Sequence, residues 1–216
     1  MNPGIFDQLF TFAVKKRPLI ILIFQMIYIF LFILILLSGY AIYFEKPAAT
    51  AFLLSARTFG QLALITYILT TIPGICRRFG LQHRLIQILM IFRRYFGILM
   101  YLLAVTHYLL MRGFQSIFAA LPLIPEQLFT VFGFTALVLL TAMMLTSNDF
   151  LHGYLGKWWQ RIHNLTYVII FLIFLHVALQ RISIWAVLIG INALLQLVSH
   201  IYYFLRKKST AAPLPL

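Results

Sequence analysis

Three histidines lie inside long apolar segments of this sequence: His107, His163 and His176. Polar side chains are costly in such segments and mark functional positions when they occur there. Neutral imidazole is a common ligand of metals and of haem iron, and imidazoles on facing helices can hold a haem between them. The histidines therefore predict a redox cofactor site, with structural hydrogen bonding between helices as the alternative role of each.

Distance along the chain decides which histidines can form a pair. His107 lies thirteen residues after Arg94, and His176 lies fifteen residues after Arg161. At about 1.5 Å per residue, both would lie roughly 20 Å from the same membrane boundary if their segments run in the same direction. His163 would lie about 19.5 Å below His176 by the same rise. We therefore predict an outer ligand pair, His107 and His176, and an inner half-site at His163.

The inner half-site has no histidine at the matching depth of the third segment, where Arg93 and Arg94 stand instead. Because a guanidinium fork matches oxyanions, these arginines are predicted contacts for a haem propionate or a flavin phosphate. His83 and His200 stay open as partners of His163.

The spacing of His163 and His176 does not fit a straight helix with one functional face. Thirteen residues at about 100° per residue place the two side chains some 140° apart. We therefore expect either an irregular fifth helix or two cofactors on different sides of it.

The elements that must position these residues are membrane-spanning helices. Hydrophobic residues make up 63% of the 216 residues, and charged residues only 10%, whereas about 25% of the residues are charged in soluble domains. Runs without Lys, Arg, Asp or Glu are close to the length of about 20 residues that a spanning helix needs. The runs cover residues 19–44, 58–75, 95–111, 127–148, 162–180 and 182–205. We predict an all-α integral membrane protein, a six-helix transmembrane bundle forming one haem-binding domain over residues 1–216.

The basic residues predict the orientation of this bundle. Thirteen of the seventeen fall at one end and four at the other, which places both termini in the cytoplasm by the positive-inside rule. The four are Lys46, Arg57, Arg112 and Arg181. We predict the inner (plasma) membrane of the cell as the location. The net charge of +13 is assigned to topology and anionic lipid, and nucleic acid is not expected as a partner.

The segments between the spans are short. The two largest connections, Gly74–Arg94 and Ser147–Arg161, are basic and would offer a cytoplasmic docking surface. Residues 209–216 are predicted to be a disordered tail. The single cysteine, Cys76, excludes an internal disulfide, so redox chemistry needs an imported cofactor.

Several motifs between residues 55 and 180 resemble ferric-reductase-like transmembrane domains. The motifs are Ala56–Gly60, Arg93–Gly97 leading to Thr106 and His107, Leu145–Asp149, and Leu155–Tyr167 followed by His176. The resemblance implies a haem b ligated by His107 and His176, with His163 serving a second haem or another inner cofactor. Arg57 joins Arg93 and Arg94 as an expected contact of propionates or a flavin phosphate.

Within that superfamily, the chain resembles the haem-binding membrane subunit of the bacterial methionine sulfoxide reductase system, which also has two arginines in place of the inner histidine. The resemblance implies transmembrane electron transfer from a cytoplasmic flavoprotein or quinol, with FMN or quinone as further cofactors. The extracytoplasmic acceptor would be a methionine sulfoxide reductase catalytic subunit, ferric iron or oxygen. The chain has no GxGxxG nucleotide-binding motif after a strand, and whether it is itself an enzyme stays open. The alternative is a transporter or scaffold subunit with structural or proton-relay histidines.

Overall fold

The computed structural model describes residues 4–44, 49–119 and 127–210, and over these residues it contains nine α-helices and no strand. The helices are α1 (Ile5–Lys15), α2 (Arg17–Tyr43), α3 (Ala49–Arg78), α4 (Arg84–Ala119), α5 (Leu128–Leu145), α6 (Asp149–Leu155), α7 (Lys157–His163), α8 (Thr166–Gln180) and α9 (Ile184–Thr210). Because lipid offers the backbone no hydrogen-bond partners, apolar segments of this length satisfy their own amides as helices.

Six segments of the described chain are long and apolar enough to cross a membrane, which confirms the predicted all-α membrane bundle. The segments are Arg17–Tyr40, Ser55–Arg78, Arg84–Arg112, Leu128–Leu145, Lys157–Gln180 and Ile184–Lys207. The helices run past several predicted boundaries, most clearly in α4, which has 36 residues. The prediction stopped at charged residues, but a helix continues through them because long basic side chains extend to the membrane surface.

The two connections predicted as the largest are mostly helical. Between Gly74 and Arg94 only residues 79–83 lie outside helices, and Gly80 turns the chain there with a φ of 78°. Helices α6 and most of α7 occupy the second connection, and Gly156 joins them with a φ of 49°. A positive φ of this kind suits glycine, which has no Cβ to clash. Both connections are therefore largely helical.

The fifth span is interrupted, as the spacing of its histidines predicts. Helix α7 ends at His163, and α8 begins at Thr166. The Tyr67 hydroxyl of α3 donates to the Thr166 carbonyl oxygen at 2.7 Å. This bond holds the first turn of α8 against α3.

Five helices form a ring around the core. In the described chain, α3 packs on α4 and α9, α9 on α8, α8 on α5, and α5 on α4, while α2 packs outside on α4. Each of the five contributes buried residues to one central cluster, which includes Tyr67, Met100, Leu140, Ile170 and Ile189. The cluster forms an apolar layer across the middle of the bundle.

Helix α9 is held to α3 by polar side chains spaced along one of its faces. Asn192 donates to Thr71 Oγ1 at 2.9 Å, and Arg78 donates to Gln196 Oε1 at 2.8 Å and to Ser199 Oγ at 2.9 Å. Such interhelical hydrogen bonds stabilise membrane bundles where hydrophobic contrast with lipid is absent.

The N-terminal helix α1 packs at the end of the bundle where α3 ends and α4 begins, which we call the basic end. Asp7 forms an ion pair with Arg84 at 2.6 Å, and the Phe6 ring contacts the His83 ring edge-on at 4.7 Å. At the other terminus, α9 ends at Thr210, the second residue of the predicted tail. The rest of that tail, residues 211–216, lies outside the described residues.

Candidate functional site

His107 is held by a hydrogen bond between neighbouring helices. Its Nδ1 atom on α4 lies 2.7 Å from the carbonyl oxygen of Ala56 on α3. Because a carbonyl oxygen only accepts, Nδ1 carries the proton, and the lone pair of the neutral ring is on Nε2.

His176 repeats this arrangement on the other side of the ring of helices. Its Nδ1 atom on α8 lies 2.7 Å from the carbonyl oxygen of Phe129 on α5. Neither histidine hydrogen-bonds through Nε2 to any residue that the structure describes, and no buried side-chain nitrogen in this part of the chain lacks a partner. Neither Nε2 atom is therefore fully buried, and each keeps its lone pair uncommitted among the described residues.

The helices that carry the two histidines are not direct neighbours in the ring. Helices α4 and α8 have little direct backbone contact in the described chain, because α5 lies between them on one side and α3 and α9 lie between them on the other. His107 and His176 are nevertheless within electrostatic range of each other and only partly buried.

The ligand set fits a haem better than a bare metal ion. Metal-binding histidines usually donate their second ring N–H to a carbonyl or carboxylate, as both do here. Protein-only sites need three or four ligands, and the described residues contain no group of three His, Cys, Asp or Glu side chains that could hold a metal. A haem needs only two axial ligands, because the porphyrin supplies the other four nitrogens.

His163 lies at the end of α7, nearer the basic end, in a packed corner with α5. Its Nε2 atom is 3.3 Å from Thr146 Oγ1, and its ring stacks on Trp159 with centroids 4.0 Å apart. Trp159 donates to the Thr146 carbonyl oxygen at 2.9 Å and contacts His152 edge-on. The ring is thus already engaged through Nε2 and through one face.

The three predicted arginines have different surroundings. Arg93 is within electrostatic range of His163, is accessible, and makes no hydrogen bond to a described residue. Arg94 instead pairs with Asp149 of α6 at 2.6 Å. Arg57 is exposed on α3 beside Ala56, without a contact to another described side chain. Only Arg93 is therefore placed beside the inner half-site.

The other two histidines considered as partners of His163 show no contact with it in the described chain. His83 is exposed on the α3–α4 turn, where Nδ1 accepts the Leu85 N–H at 3.3 Å. The Nδ1 atom of His200 bonds to the Gln196 carbonyl oxygen of its own helix at 2.9 Å. Each is also in contact with an aromatic ring of another helix, His83 with Phe6 and His200 with Tyr167.

Sequence reasoning missed the groups that orient the ligands, the carbonyl oxygens of Ala56 and Phe129. Every residue has such a carbonyl, so no sequence signal points to these two. It also missed Arg78, whose donors bond across to α9. The adjacent residues Arg77 and Arg78 are evident in the sequence, but their pattern is typical of an ordinary basic helix end and does not indicate a contact with α9.

These features define a multi-pass helical membrane protein in which two histidines are oriented by carbonyl oxygens of neighbouring helices. Residues 58–174, more than half of the chain, match the family described as ferric reductase like transmembrane component, and the chain belongs to that family. The matched region includes His107 and His163 and ends two residues before His176. No curated protein and no solved structure gives a significant match to the chain. Family membership indicates transmembrane electron transfer in general.

Proposed function

We propose that the chain carries electrons across the membrane through one b-type haem, with His107 and His176 as its axial ligands. The observation that carries this proposal is the pair of 2.7 Å bonds from Nδ1 to the carbonyl oxygens of Ala56 and Phe129. These bonds orient both rings and leave the Nε2 lone pair of each uncommitted. A bound haem would supply the one-electron redox centre, whose potential depends on its ligands and surroundings.

A layer of apolar side chains separates this site from the basic end. Met100, in the central apolar cluster, lies seven residues from both His107 and Arg93 on α4. At about 1.5 Å per residue, this places the apolar layer roughly 10 Å from each. The layer excludes water between the two sites and lowers the local dielectric.

At the basic end, we propose that Arg93 provides positive charge for an anionic inner cofactor or for haem propionates. Arg77 and Arg78 lie within its electrostatic range. The described acidic residues of this end, Asp7 and Asp149, pair with Arg84 and Arg94 instead. The unpaired charge of Arg93 therefore suits FMN phosphate or a propionate, and quinone stays the alternative cofactor.

By the positive-inside rule, this basic end faces the cytoplasm, and its surface would dock a flavoprotein donor or admit quinol. The acceptor then lies on the opposite side of the membrane. The consecutive arginines Arg93 and Arg94 support a role like that of the membrane subunit of methionine sulfoxide reductase systems. A methionine sulfoxide reductase catalytic subunit is accordingly the proposed acceptor, with ferric iron and oxygen as alternatives.

The test is haem content with and without each ligand. The purified chain, expressed with ample haem, is expected to show a b-type spectrum with one haem per chain by pyridine haemochrome. His107→Ala and His176→Ala should each abolish the spectrum. The matched control His200→Ala should keep it, because His200 bonds to its own helix and contacts Tyr167, and neither partner is a proposed ligand. A colourless wild-type protein would overturn the proposal and return the histidines to structural or proton-relay roles.

A further inference from the structure

Each histidine of the candidate haem site lies against a glycine of the neighbouring helix. We infer that Gly60 and Gly133 are positioning residues that set the ring planes of His107 and His176. This inference rests on the proposed function, because the ring planes matter only if the rings bind iron. The inference adds to the site two glycines, which have no side chain that could donate or accept a hydrogen bond.

The first contact is between α3 and α4. A Cβ atom added to Gly60 would lie 2.9 Å from His107 Nδ1, 3.0 Å from Cε1 and 3.2 Å from Cγ. Three ring atoms at these distances show that the imidazole lies directly over the bare backbone of Gly60. Ordinary contact between such atoms requires at least about 3.5 Å.

The second contact, between α5 and α8, is tighter. A Cβ atom added to Gly133 would lie 2.6 Å from His176 Nδ1, 2.8 Å from Cε1 and 3.0 Å from Cγ. The ring would have to move by nearly 1 Å to restore ordinary contact. Such a movement would stretch or break the 2.7 Å bond to the Phe129 carbonyl oxygen, since bonds beyond about 3.2 Å are weak.

The two contacts share one construction. In each, the accepting carbonyl stands four residues before the glycine, Ala56 before Gly60 and Phe129 before Gly133. Residues four apart lie on one helix face, one turn from each other. The missing side chain thus lets the ring approach the helix closely enough to reach the carbonyl. The glycine sets the position of the ring, and the carbonyl sets its tautomer.

This construction predicts a graded response to methyl groups. The Cβ atom of an alanine at position 133 would lie 2.6 Å from the His176 ring, and that of an alanine at position 60 would lie 2.9 Å from the His107 ring. Gly133→Ala should therefore have the larger effect. Loss of an outer-shell partner typically lowers metal affinity 10- to 100-fold. We expect a loss of haem affinity of about this size in Gly133→Ala and a smaller loss in Gly60→Ala.

Two matched controls separate positioning from general packing. A Cβ added to Gly97, on the same helix as His107, meets nothing within 4 Å. A Cβ added to Gly190 meets Phe174 Cε2 at 3.0 Å, a contact like that at Gly60 but on a ring that is not a ligand. Gly97→Ala should be neutral, and Gly190→Ala should affect stability only.

The experiment measures haem content, midpoint potential and the low-spin ferric EPR signal, which depends on the angle between the two imidazole planes. The expected result is a shifted EPR signal and potential in Gly60→Ala and Gly133→Ala but not in Gly97→Ala or Gly190→Ala. Should Gly133→Ala fail to fold, the milder Gly60→Ala decides. If the wild type binds haem and the EPR signals of Gly60→Ala and Gly133→Ala are both unchanged, the inference about the glycines is overturned and the proposed function is not. Absence of haem from the wild type would instead overturn the proposed function.

Discussion

His163 is the histidine whose role the structure allows to be predicted most sharply, because its Nε2 atom and one ring face are already engaged. Its surroundings are Thr146 Oγ1 at 3.3 Å and the Trp159 ring at 4.0 Å between centroids. We predict that His163 packs the corner between α5 and α7 and that it is dispensable for binding the single haem. The sequence-based alternative is that it ligates a second haem.

The perturbation is a pair of substitutions, His163→Phe and His163→Ala. Phenylalanine keeps a ring against Trp159 and loses only the hydrogen bond, which contributes about 0.5–1.5 kcal/mol. Thr146 Oγ1 also bonds to the Ala142 carbonyl oxygen at 2.9 Å, so it is not left without a partner. Alanine additionally loses the aromatic pair, about another 0.5–1.5 kcal/mol. We therefore expect costs of about 1 kcal/mol for Phe and about 1–3 kcal/mol for Ala.

The assay combines unfolding in mild detergent with haem quantification. A packing role predicts graded destabilisation, Ala more than Phe, with one haem per chain in both variants. A ligand role predicts that both variants lose the same amount of haem, whatever the size of the new side chain. Two haems in the wild type and one in each variant would refute the packing argument and assign His163 to an inner haem.

Two further predictions concern residues outside the ligand pair. Tyr67→Phe removes the 2.7 Å bond to the Thr166 carbonyl oxygen. Because Tyr67 is only 1% exposed, this loss should lower the free energy of unfolding by about 1 kcal/mol. An unchanged unfolding midpoint would contradict this prediction. Arg94→Gln breaks the exposed pair with Asp149 and should cost less than about 1 kcal/mol, whereas Arg93→Gln should slow reduction by the electron donor in stopped-flow measurements. Equal rates in the two arginine variants would contradict the assignment of Arg93 to the inner site.

The six spans could be predicted from the sequence because the hydrocarbon core imposes one simple condition on composition. A segment of about 20 residues without charges must form a helix when it enters lipid. The boundaries could not be predicted as well, since α4 continues through Arg93 and Arg94. The amphipathic helix α1 was not predicted either. It is set by contacts such as the Asp7–Arg84 pair, whose partners lie 77 residues apart.

The candidate site likewise has features that the sequence predicts and features that only the tertiary structure shows. Residue type and depth along the helices pointed to His107 and His176, because buried imidazoles are rare and the helical rise is constant. Arg93 and Arg94 are neighbours in sequence, yet about 100° apart around a helix. Only the tertiary structure shows that Arg94 pairs with Asp149 of α6, whereas Arg93 lies within electrostatic range of His163.

The features that orient the ligands depend entirely on tertiary structure. The carbonyl oxygens of Ala56 and Phe129 are chemically the same as all others in the chain, and Gly60 and Gly133 have no side chain that could signal a role. They act only because α3 packs on α4, and α5 on α8, in a register that places a bare backbone against each imidazole. Helix packing sets that register through the shapes of many side chains together. The sequence therefore determined which residues could bind a cofactor, and the packing of four helices decided how they are held.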